Sequence, residues 1–323
     1  MIEFLKALLL FLFIFFLITI PVYSGTSITS LQAKSTIQDT YYSKSFVIMS
    51  TYDRWNVIHK NWEAGVPAVS VGDLNNNWQQ NIVAYYNNWG LGYRTSNNQW
   101  PKLHNAYSPG VTSVAVGDIN GDSDQDVLVY FNNWGLGWRS ATNDQWTKVH
   151  DNYLPGVPAV SVGDVNSDWK EEIIAYFNNW GLGIYDEKWA KIHDDWKQGV
   201  TSIATGDLND DWNQDIIVYF NGWGLGWLDY KTNKWYKIHN NWEAGVPAVA
   251  SGDINGDGHD DVVAYFVDWG LGWWNSYNNK WIKVYNNWTP GVSSIAVGDI
   301  DSDGKDDIIA YFVHKGLLWY KSP

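Results

Sequence analysis

The sequence predicts an all-β protein, a six-bladed β-propeller of four-stranded blades, on three observations. A Gly-Asp pair recurs with its Asp at positions 73, 118, 164, 207, 253 and 299, at intervals of 45, 46, 43, 46 and 46 residues. Each interval holds four short runs of β-branched and aromatic residues separated by Gly, Asn and Asp, without a helical period. A fourth-strand pattern at Trp55 precedes the first complete unit. Four-stranded units that cannot bury both faces alone are typical of propeller blades.

The second unit illustrates the predicted blade. Its strands are expected at 111–116, 126–132, 136–139 and 146–150, and all length variation between units falls between the third and fourth strands, as in a hairpin loop. The last unit ends after a third strand at 317–320. The N-terminal strand at 55–59 should therefore complete the sixth blade and close the ring, which removes exposed sheet edges.

The N-terminal region is expected to be a targeting segment followed by a tail. The apolar run Ala7–Val22 is shorter than the roughly 20 residues of a membrane span and suits a cleaved signal peptide. The protein is therefore expected to be secreted or extracellular, with no membrane span in its mature form; a retained anchor would place it at the cell surface. The predicted segments are a signal peptide at 1–24, a Ser/Thr-rich tail or linker at 25–52, and a propeller at 53–323 with blades at about 63–107, 108–153, 154–196, 197–242, 243–288, and 289–320 plus 53–62.

Composition excludes several classes of protein. Acidic residues number 35 against 21 basic ones, which gives a net charge of -14 and argues against a nucleic-acid partner. The chain has no cysteine, so packing or an oxygen-ligated metal must hold an extracellular fold. Catalysis needs a unique constellation of residues, whereas nearly every polar feature here is repeated, so an enzyme is not expected.

The loop between the first and second strands of a blade carries a calcium-binding pattern. Counted from the Asp of Gly-Asp, oxygen-bearing side chains stand at positions 1, 3, 5 and 9, with a backbone carbonyl at position 7 and Gly at the position 6 bend, which suits Ca²⁺. The alternative is a solvent-exposed, Asn/Asp-rich hairpin that binds no metal. The candidate ligands are Asp253, Asn255, Asp257, His259 and Asp261 in blade five, and Asp299, Asp301, Asp303, Lys305 and Asp307 in blade six, where His259 and Lys305 offer only the carbonyl.

The other copies of this loop are unequal. Ser123, Trp169 and Trp212 replace the bend Gly in blades two to four, and a Trp there is strained if the bend has positive φ, so calcium binding by blades three and four is left open. Blade one, with Asp73 as its one carboxylate, is expected to be empty. The further candidate ligands are Asp118, Asn120, Asp122 and Asp126 in blade two, Asp164, Asn166, Asp168 and Glu172 in blade three, and Asp207, Asn209, Asp211 and Asp215 in blade four.

At these loops, and at the Asp-Ile/Val-hydrophobic-Ala-Tyr-Phe and Gly-Leu words that follow them, the chain resembles the FG-GAP and VCBS repeat family. These are the calcium-looped propellers of integrin α-subunit heads and of several fungal and bacterial lectins, and the resemblance covers about residues 55–320. It implies calcium beneath the blades and adhesion or carbohydrate recognition on the opposite face. Departures are the six units, where integrin heads have seven, the missing literal Phe-Gly and Gly-Ala-Pro words, and three altered bends.

The loops between second and third strands form the predicted ligand face. Flat rings beside amides and carboxylates are what a sugar needs, since its apolar face packs on a ring and its hydroxyls pair with polar groups. The alternative is that these rings only pack the blade tips. The candidate ligand-binding residues are Asn88, Trp89, Asn133, Trp134, Asn179, Trp180, Trp223, Asp268 and Trp269.

Repetition of the candidate sites predicts multivalent recognition. Weak sites on one rigid disc gain avidity toward repetitive ligands such as cell-surface glycans. The sequence therefore favours a secreted, calcium-binding, lectin-like propeller with extracellular glycans as partners. The alternative is a protein–protein adhesion or extracellular structural module with a protein partner, and the oligomeric state is left open.

Overall fold

The computed structural model describes residues 54–60, 65–107, 110–153, 156–197, 199–289 and 291–323. The expected signal peptide and Ser/Thr-rich tail lie outside the described residues. The described residues form twenty-four β-strands in six antiparallel sheets of four. None of them belongs to a helix long and apolar enough to cross a bilayer.

Each sheet is one blade, and its strands follow one another in sequence except in the sixth. Blade one contains β2 (Ala68–Gly72), β3 (Asn81–Tyr86), β4 (Gly90–Arg94) and β5 (Lys102–Asn105). Blade two contains β6 (Val111–Gly117), β7 (Asp126–Phe131), β8 (Gly135–Arg139) and β9 (Trp146–Asp151). Blade three contains β10 (Ala159–Gly163), β11 (Glu172–Phe177), β12 (Gly181–Asp186) and β13 (Lys188–Asp194).

The second half of the ring repeats this arrangement. Blade four contains β14 (Val200–Gly206), β15 (Asp215–Phe220), β16 (Gly224–Asp229) and β17 (Lys234–Asn240). Blade five contains β18 (Ala248–Gly252), β19 (Asp261–Phe266), β20 (Gly270–Asn275) and β21 (Lys280–Asn286). Blade six contains β22 (Val292–Gly298), β23 (Asp307–Phe312), β24 (Gly316–Tyr320) and the N-terminal β1 (Trp55–Lys60).

The sixth blade closes the ring as the sequence predicts. Strand β1 pairs antiparallel with β24, with Trp55 opposite Tyr320 and Lys60 opposite Gly316. The sheet order is β1-β24-β23-β22, so the two ends of the propeller share one sheet. The prediction of six four-stranded blades with an N-terminal closing strand is confirmed.

The core lies between neighbouring blades. The second strand of each blade is buried along its whole length, as in β7, because it is central in its own sheet and is covered on both faces by adjacent sheets. Leu128 and Tyr130 of β7, for example, share an apolar cluster with Ile173 and Ala175 of β11. Strands with two buried faces explain the nearly continuous apolar runs in the sequence.

Because strand direction alternates within a blade, the loops fall on two opposite faces. The acidic-loop face carries the loops after the first strands, such as residues 253–261, together with the hairpins after the third strands. The aromatic face carries the loops after the second strands, such as residues 267–269, and the connections between blades.

Candidate functional site

The first Asp of each acidic loop closes the loop by the same hydrogen bonds. Its Oδ1 accepts the N–H of position 5, and its Oδ2 accepts the N–H of position 6. The position 6 distances are 2.6 Å at Trp78, 2.8 Å at Ser123, 3.1 Å at Trp169, 2.9 Å at Trp212, 2.8 Å at Gly258 and 2.9 Å at Gly304. The six loops therefore share one turn, whatever residue stands at the bend.

The bend residue has positive φ in every acidic loop. The φ is 87° at Gly258 and 85° at Gly304, where glycine adopts it without strain, and 71° at Ser123. It is 72° at Trp169 and 66° at Trp212, so these bulky residues occupy a left-handed conformation that L-residues disfavour. The altered bends thus keep the loop geometry at the expense of backbone strain.

The ninth residue of each loop lies buried at its base. Asp126, Asp261 and Asp307 are 0% exposed. Burial raises the pKa of each of these three carboxyls to about 7, and it raises the pKa of Asp215 to about 8 and that of Glu172 to about 7. A carboxylate in such a place needs either a proton or a cation to offset its lost hydration.

Blade six offers the ligand set that best fits a divalent cation. One carboxylate oxygen from each of Asp299, Asp301 and Asp307 lies within 4.8 Å of the other two. Within the described residues, Oδ2 of Asp307 is buried without a hydrogen-bond partner. The Lys321 ammonium lies against Asp301 and 3.0 Å from Oδ2 of Asp303, so the loop already attracts a positive charge. Carboxylate oxygens in this number and type fit Ca²⁺.

Among the remaining loops, those of blades two and one differ most in how the ninth residue is satisfied. In blade two, Oδ2 of Asp126 is another buried oxygen with no partner among the described residues. In blade one the ninth residue is Asn81, whose Oδ1 accepts the Leu74 N–H at 3.2 Å and whose Nδ2 donates to the Arg94 carbonyl at 3.2 Å. This amide is satisfied without a charge, and the absence of a cation from blade one stays a prediction.

The side chain of His259, expected to offer only its carbonyl, links two acidic loops. Its Nδ1 lies 2.6 Å from Oδ1 of Asp210 in blade four. This hydrogen bond raises the pKa of His259. Ser167 of blade three donates in turn to the Trp212 carbonyl oxygen at 3.3 Å. The acidic loops of blades three, four and five are therefore tied side by side.

On the opposite face, the predicted Trp residues are half-buried. Each indole lies on the second Gly of a Gly-Leu-Gly word, so that a β-carbon added to Gly137 would come within 2.6 Å of the Trp134 ring. The Lys148 ammonium lies 4.7 Å from the Trp134 ring centroid. The rings thus pack the blade and keep part of their surface open. The half-buried set is Trp89, Trp134, Trp180, Trp223 and Trp269.

The predicted polar partners of these Trp residues are exposed and hold the turn. Their φ values are 71° at Asn88, 71° at Asn133, 68° at Asn179 and 71° at Asp268. Asn and Asp tolerate this left-handed conformation better than other non-glycine residues, which accounts for their presence at this position.

Each of these Trp rings forms one wall of an aromatic cleft between two blades, here called an inter-blade cleft. The other described walls are a His from the end of the preceding blade, a Phe or Tyr that ends the second strand, and a Trp near the start of the fourth strand. Blades two to five add a second aromatic ring from the end of the preceding blade. Two clefts enclose cavities of about 190 and 140 Å³, respectively lined by His104, Tyr107, Phe131, Trp134 and Trp146, and by His239, Trp242, Phe266, Trp269 and Trp281.

The rings of a cleft meet edge to face. In the cleft between blades one and two, the Phe131 centroid lies 5.7 Å from that of Trp134 at 90° and 5.0 Å from that of His104. Nδ1 of His104 lies 2.7 Å from the Asn105 carbonyl oxygen. A carbonyl only accepts, so Nδ1 carries the proton and Nε2 is the acceptor of the ring. The cleft combines apolar walls with a hydrogen-bond acceptor.

The same cleft recurs around the ring. Nδ1 of His59, His150, His193 and His239 makes the same contact with the following carbonyl, at 2.7 to 2.8 Å. These His residues are therefore hydrogen-bonding residues at the edges of their blades. The further ring sets are His59, Tyr86, Trp89 and Trp100; His150, Tyr153, Phe177, Trp180 and Trp189; and His193, Trp196, Phe220, Trp223 and Trp235.

A family model described as FG-GAP-like repeat matches residues 253–310, which include the acidic loops of blades five and six. This match and the closed six-bladed fold support the FG-GAP repeat family. The chain is a six-bladed β-propeller with FG-GAP-like repeats at residues 253–310. No curated protein sequence matches it significantly.

Solved structures that resemble this propeller are remote in sequence. An Agrocybe aegerita lectin that recognises non-reducing terminal N-acetylglucosamine is 15% identical, with a TM-score of 0.49 over 79% of each chain. BBS1N in complex with ARL6DN is 10% identical, with a TM-score of 0.56 over 84% of this chain and 97% of that one. The extracellular domain of a one-component system from B. thetaiotaomicron is 14% identical, with a TM-score of 0.51 over 79% of this chain and 32% of that one. At these identities the likeness to the last two structures, whose TM-scores exceed 0.5, establishes the fold alone.

In this propeller, the cleft between blades five and six is filled by a lysine side chain of blade six. Lys315 stands where the other blades have Trp, and its ammonium lies 4.9 Å from the Tyr285 ring centroid and 5.2 Å from that of Trp288. It also donates to the Tyr285 hydroxyl at 2.8 Å. Leu318 replaces the glycine on which a Trp would lie. Blade six therefore lacks the Trp that lines the aromatic clefts of blades one to five.

Sequence reasoning missed two groups of residues. The first is the fourth-strand Trp of each cleft, such as Trp146. Its recurrence eighteen residues before the Asp of the next Gly-Asp pair was the available signal. The second is a set of exposed rings on the acidic-loop face, which includes Trp169 and Trp212. From the sequence, these Trp residues are considered only for the strain that they add to the calcium loop. A Trp at a strained position is itself a signal of a functional side chain.

Proposed function

We propose that this protein is a secreted, calcium-stabilised lectin that binds carbohydrate in its inter-blade clefts. The observation that carries the proposal is the cavity beside Trp134, which is lined by several partly open aromatic rings and by His104, whose imidazole has Nε2 as its acceptor nitrogen. A sugar presents an apolar ring face and hydroxyl donors, and both find their complement here. The proposal assigns no catalytic step to the protein.

The size of the clefts favours a small, shallowly bound ligand. Cavities of about 140 and 190 Å³ are smaller than the roughly 300 to 1,000 Å³ of pockets for drug-sized molecules. Each cleft then holds one sugar residue with modest affinity. Five such clefts on one disc would bind a repetitive glycan far more tightly than one cleft binds a free sugar.

Calcium is assigned to the acidic loops. Blades two, five and six would hold it through the carboxylates and carbonyls of their loops, because their buried ninth residues are Asp126, Asp261 and Asp307 and their bends are small. Bound calcium would neutralise these buried carboxylates and fix the loops. The sugar clefts lie on the other face, so calcium would act on binding through the stability of the blades.

A glycan array in the presence of calcium tests the function. Binding to a defined class of glycan that free monosaccharide competes away would support a lectin. The alternative, an adhesion module for a protein partner, buries roughly 1,200 to 2,000 Å² and should ignore free sugars. A blank array from folded, calcium-loaded protein would overturn the proposal and favour that alternative. Detection of the mature protein in the culture medium of its source cells tests secretion.

A further inference from the structure

Among the described residues, the most exposed large apolar side chains are three Trp on the acidic-loop face. Trp78 and Trp169 are 90% exposed and Trp212 is 91% exposed. All three stand at the bend of an acidic loop, on the face opposite the inter-blade clefts. A nearly fully exposed indole adds no buried area to the fold, so packing does not account for these residues.

The backbone conformation of the bend does not explain the three Trp residues either. The bend residue has positive φ in every acidic loop, and in blades five and six it is a glycine, Gly258 and Gly304. A Trp at this position adds strain that a glycine would not. Strained residues whose side chains are almost fully exposed point to a contact with another molecule.

Trp169 and Trp212 belong to neighbouring loops that are held together. The Ser167 hydroxyl donates to the Trp212 carbonyl oxygen at 3.3 Å and also to Oδ1 of Asn213. The two bends therefore sit on adjacent blades, and a side chain of one loop donates a hydrogen bond to the backbone of the other. Trp78 stands apart on blade one.

The surroundings of the rings indicate the chemistry of the ligand. Exposed polar residues flank each ring in the sequence, with Asn166 and Asp168 before Trp169 and Asp210 before Trp212. An apolar protein interface would be depleted of such charges at its centre, and an anionic lipid surface would be repelled by them. Single rings flanked by amides and carboxylates suit a neutral, hydroxyl-rich chain.

We propose that Trp169 and Trp212 form a second carbohydrate-binding surface, for a neutral polysaccharide, on the acidic-loop face. This surface goes beyond the proposed lectin clefts and does not require them, because it uses other residues on the other face. A disc with ligand sites on both faces would bridge two glycan surfaces.

The test is a pull-down of the full protein with three insoluble neutral polysaccharides: cellulose, chitin and xylan. The double variant Trp169→Gly/Trp212→Gly should lose at least about tenfold in affinity for the polysaccharide that retains the wild type. Its melting temperature should stay equal or rise, because glycine relieves the strain at both bends. The matched control Ser123→Gly removes strain at the same loop position without removing a ring, so it should bind as the wild type does.

Other outcomes would overturn the proposal. Wild-type protein that none of the three polysaccharides retains, or a double variant that binds like the wild type, contradicts it. Loss of self-association in the double variant by sedimentation would instead assign the rings to a second copy, and loss of binding to phosphatidylcholine vesicles would assign them to a membrane. Binding to free monosaccharide, measured on the same double variant, reports on the clefts separately, so failure of one site is distinguishable from failure of the other.

Discussion

The indole of Trp180 lies directly against the α-carbon of Gly183. A β-carbon added to Gly183 would come within 2.5 Å of Cζ3 of that ring, and the next contact outside Trp180 is a ring atom of Trp189 at 3.2 Å. The ring that forms one wall of the cleft therefore depends on a glycine three residues later. In blade six both residues of this pair are replaced, the Trp by Lys315 and the glycine by Leu318.

Gly183→Ala should lower the free energy of unfolding by about 1 to 3 kcal/mol, since overpacking displaces the Trp180 ring. In a Trp180→Ala background the same change should cost much less, because the atoms that it meets are gone. Urea unfolding of the two single variants and the double variant gives the coupling energy. Equal costs in both backgrounds would show that the ring does not rest on this glycine.

Asp126→Asn should separate the calcium role of the ninth loop residue from its structural role. With calcium the variant should melt at a lower temperature than the wild type, because a ligand charge is lost. With chelator above pH 7 it should melt at an equal or higher temperature, because the buried charge is gone. Calorimetry in both buffers measures this, and the exposed Asp144→Asn serves as control. A variant that is destabilised equally in both buffers would contradict calcium binding in blade two.

The chelated protein should become less stable as pH rises from about 5 to 8. Burial raises the pKa of Asp126, Asp261 and Asp307 to about 7 and that of Asp215 to about 8. The folded state then binds more protons than the unfolded state, so this contribution is complete below the unfolded pKa of about 4 and is lost as pH rises through 7 to 8. Calcium should suppress the loss. Thermal melts across this range test the sign, and a chelated protein that gains stability toward pH 8 would contradict it.

Lys315→Trp combined with Leu318→Gly should open the sixth inter-blade cleft. The first change removes the ammonium that lies against Tyr285 and Trp288, and the second provides the glycine on which the new ring can lie. Titration calorimetry with a sugar identified on the array should give one more site per chain than the wild type gives. An unchanged number of sites in a folded variant would mean that the sixth cleft is not equivalent to the others.

The fold could be read from the sequence because its signals are local and repeated. The spacing of Gly-Asp and the unpaired strand at Trp55 predicted the number of blades and the closure, and the structure places the closing strand at Trp55–Lys60. The clefts were harder to predict from the sequence, because each joins residues of two blades that are far apart in sequence, such as His104 and Trp146. Exposure at Trp169 could not be predicted, since a repeat pattern shows where a loop bends and not which side chains it leaves uncovered.

The most direct measurement of the central claim is the number of sugar sites per chain in solution. Titration calorimetry of the calcium-loaded protein with a monosaccharide from the array should give weak binding at about five equivalent sites, one for each open cleft in blades one to five. Absence of binding heat at several temperatures from folded protein, or a single site per chain, would contradict carbohydrate recognition by the repeated clefts.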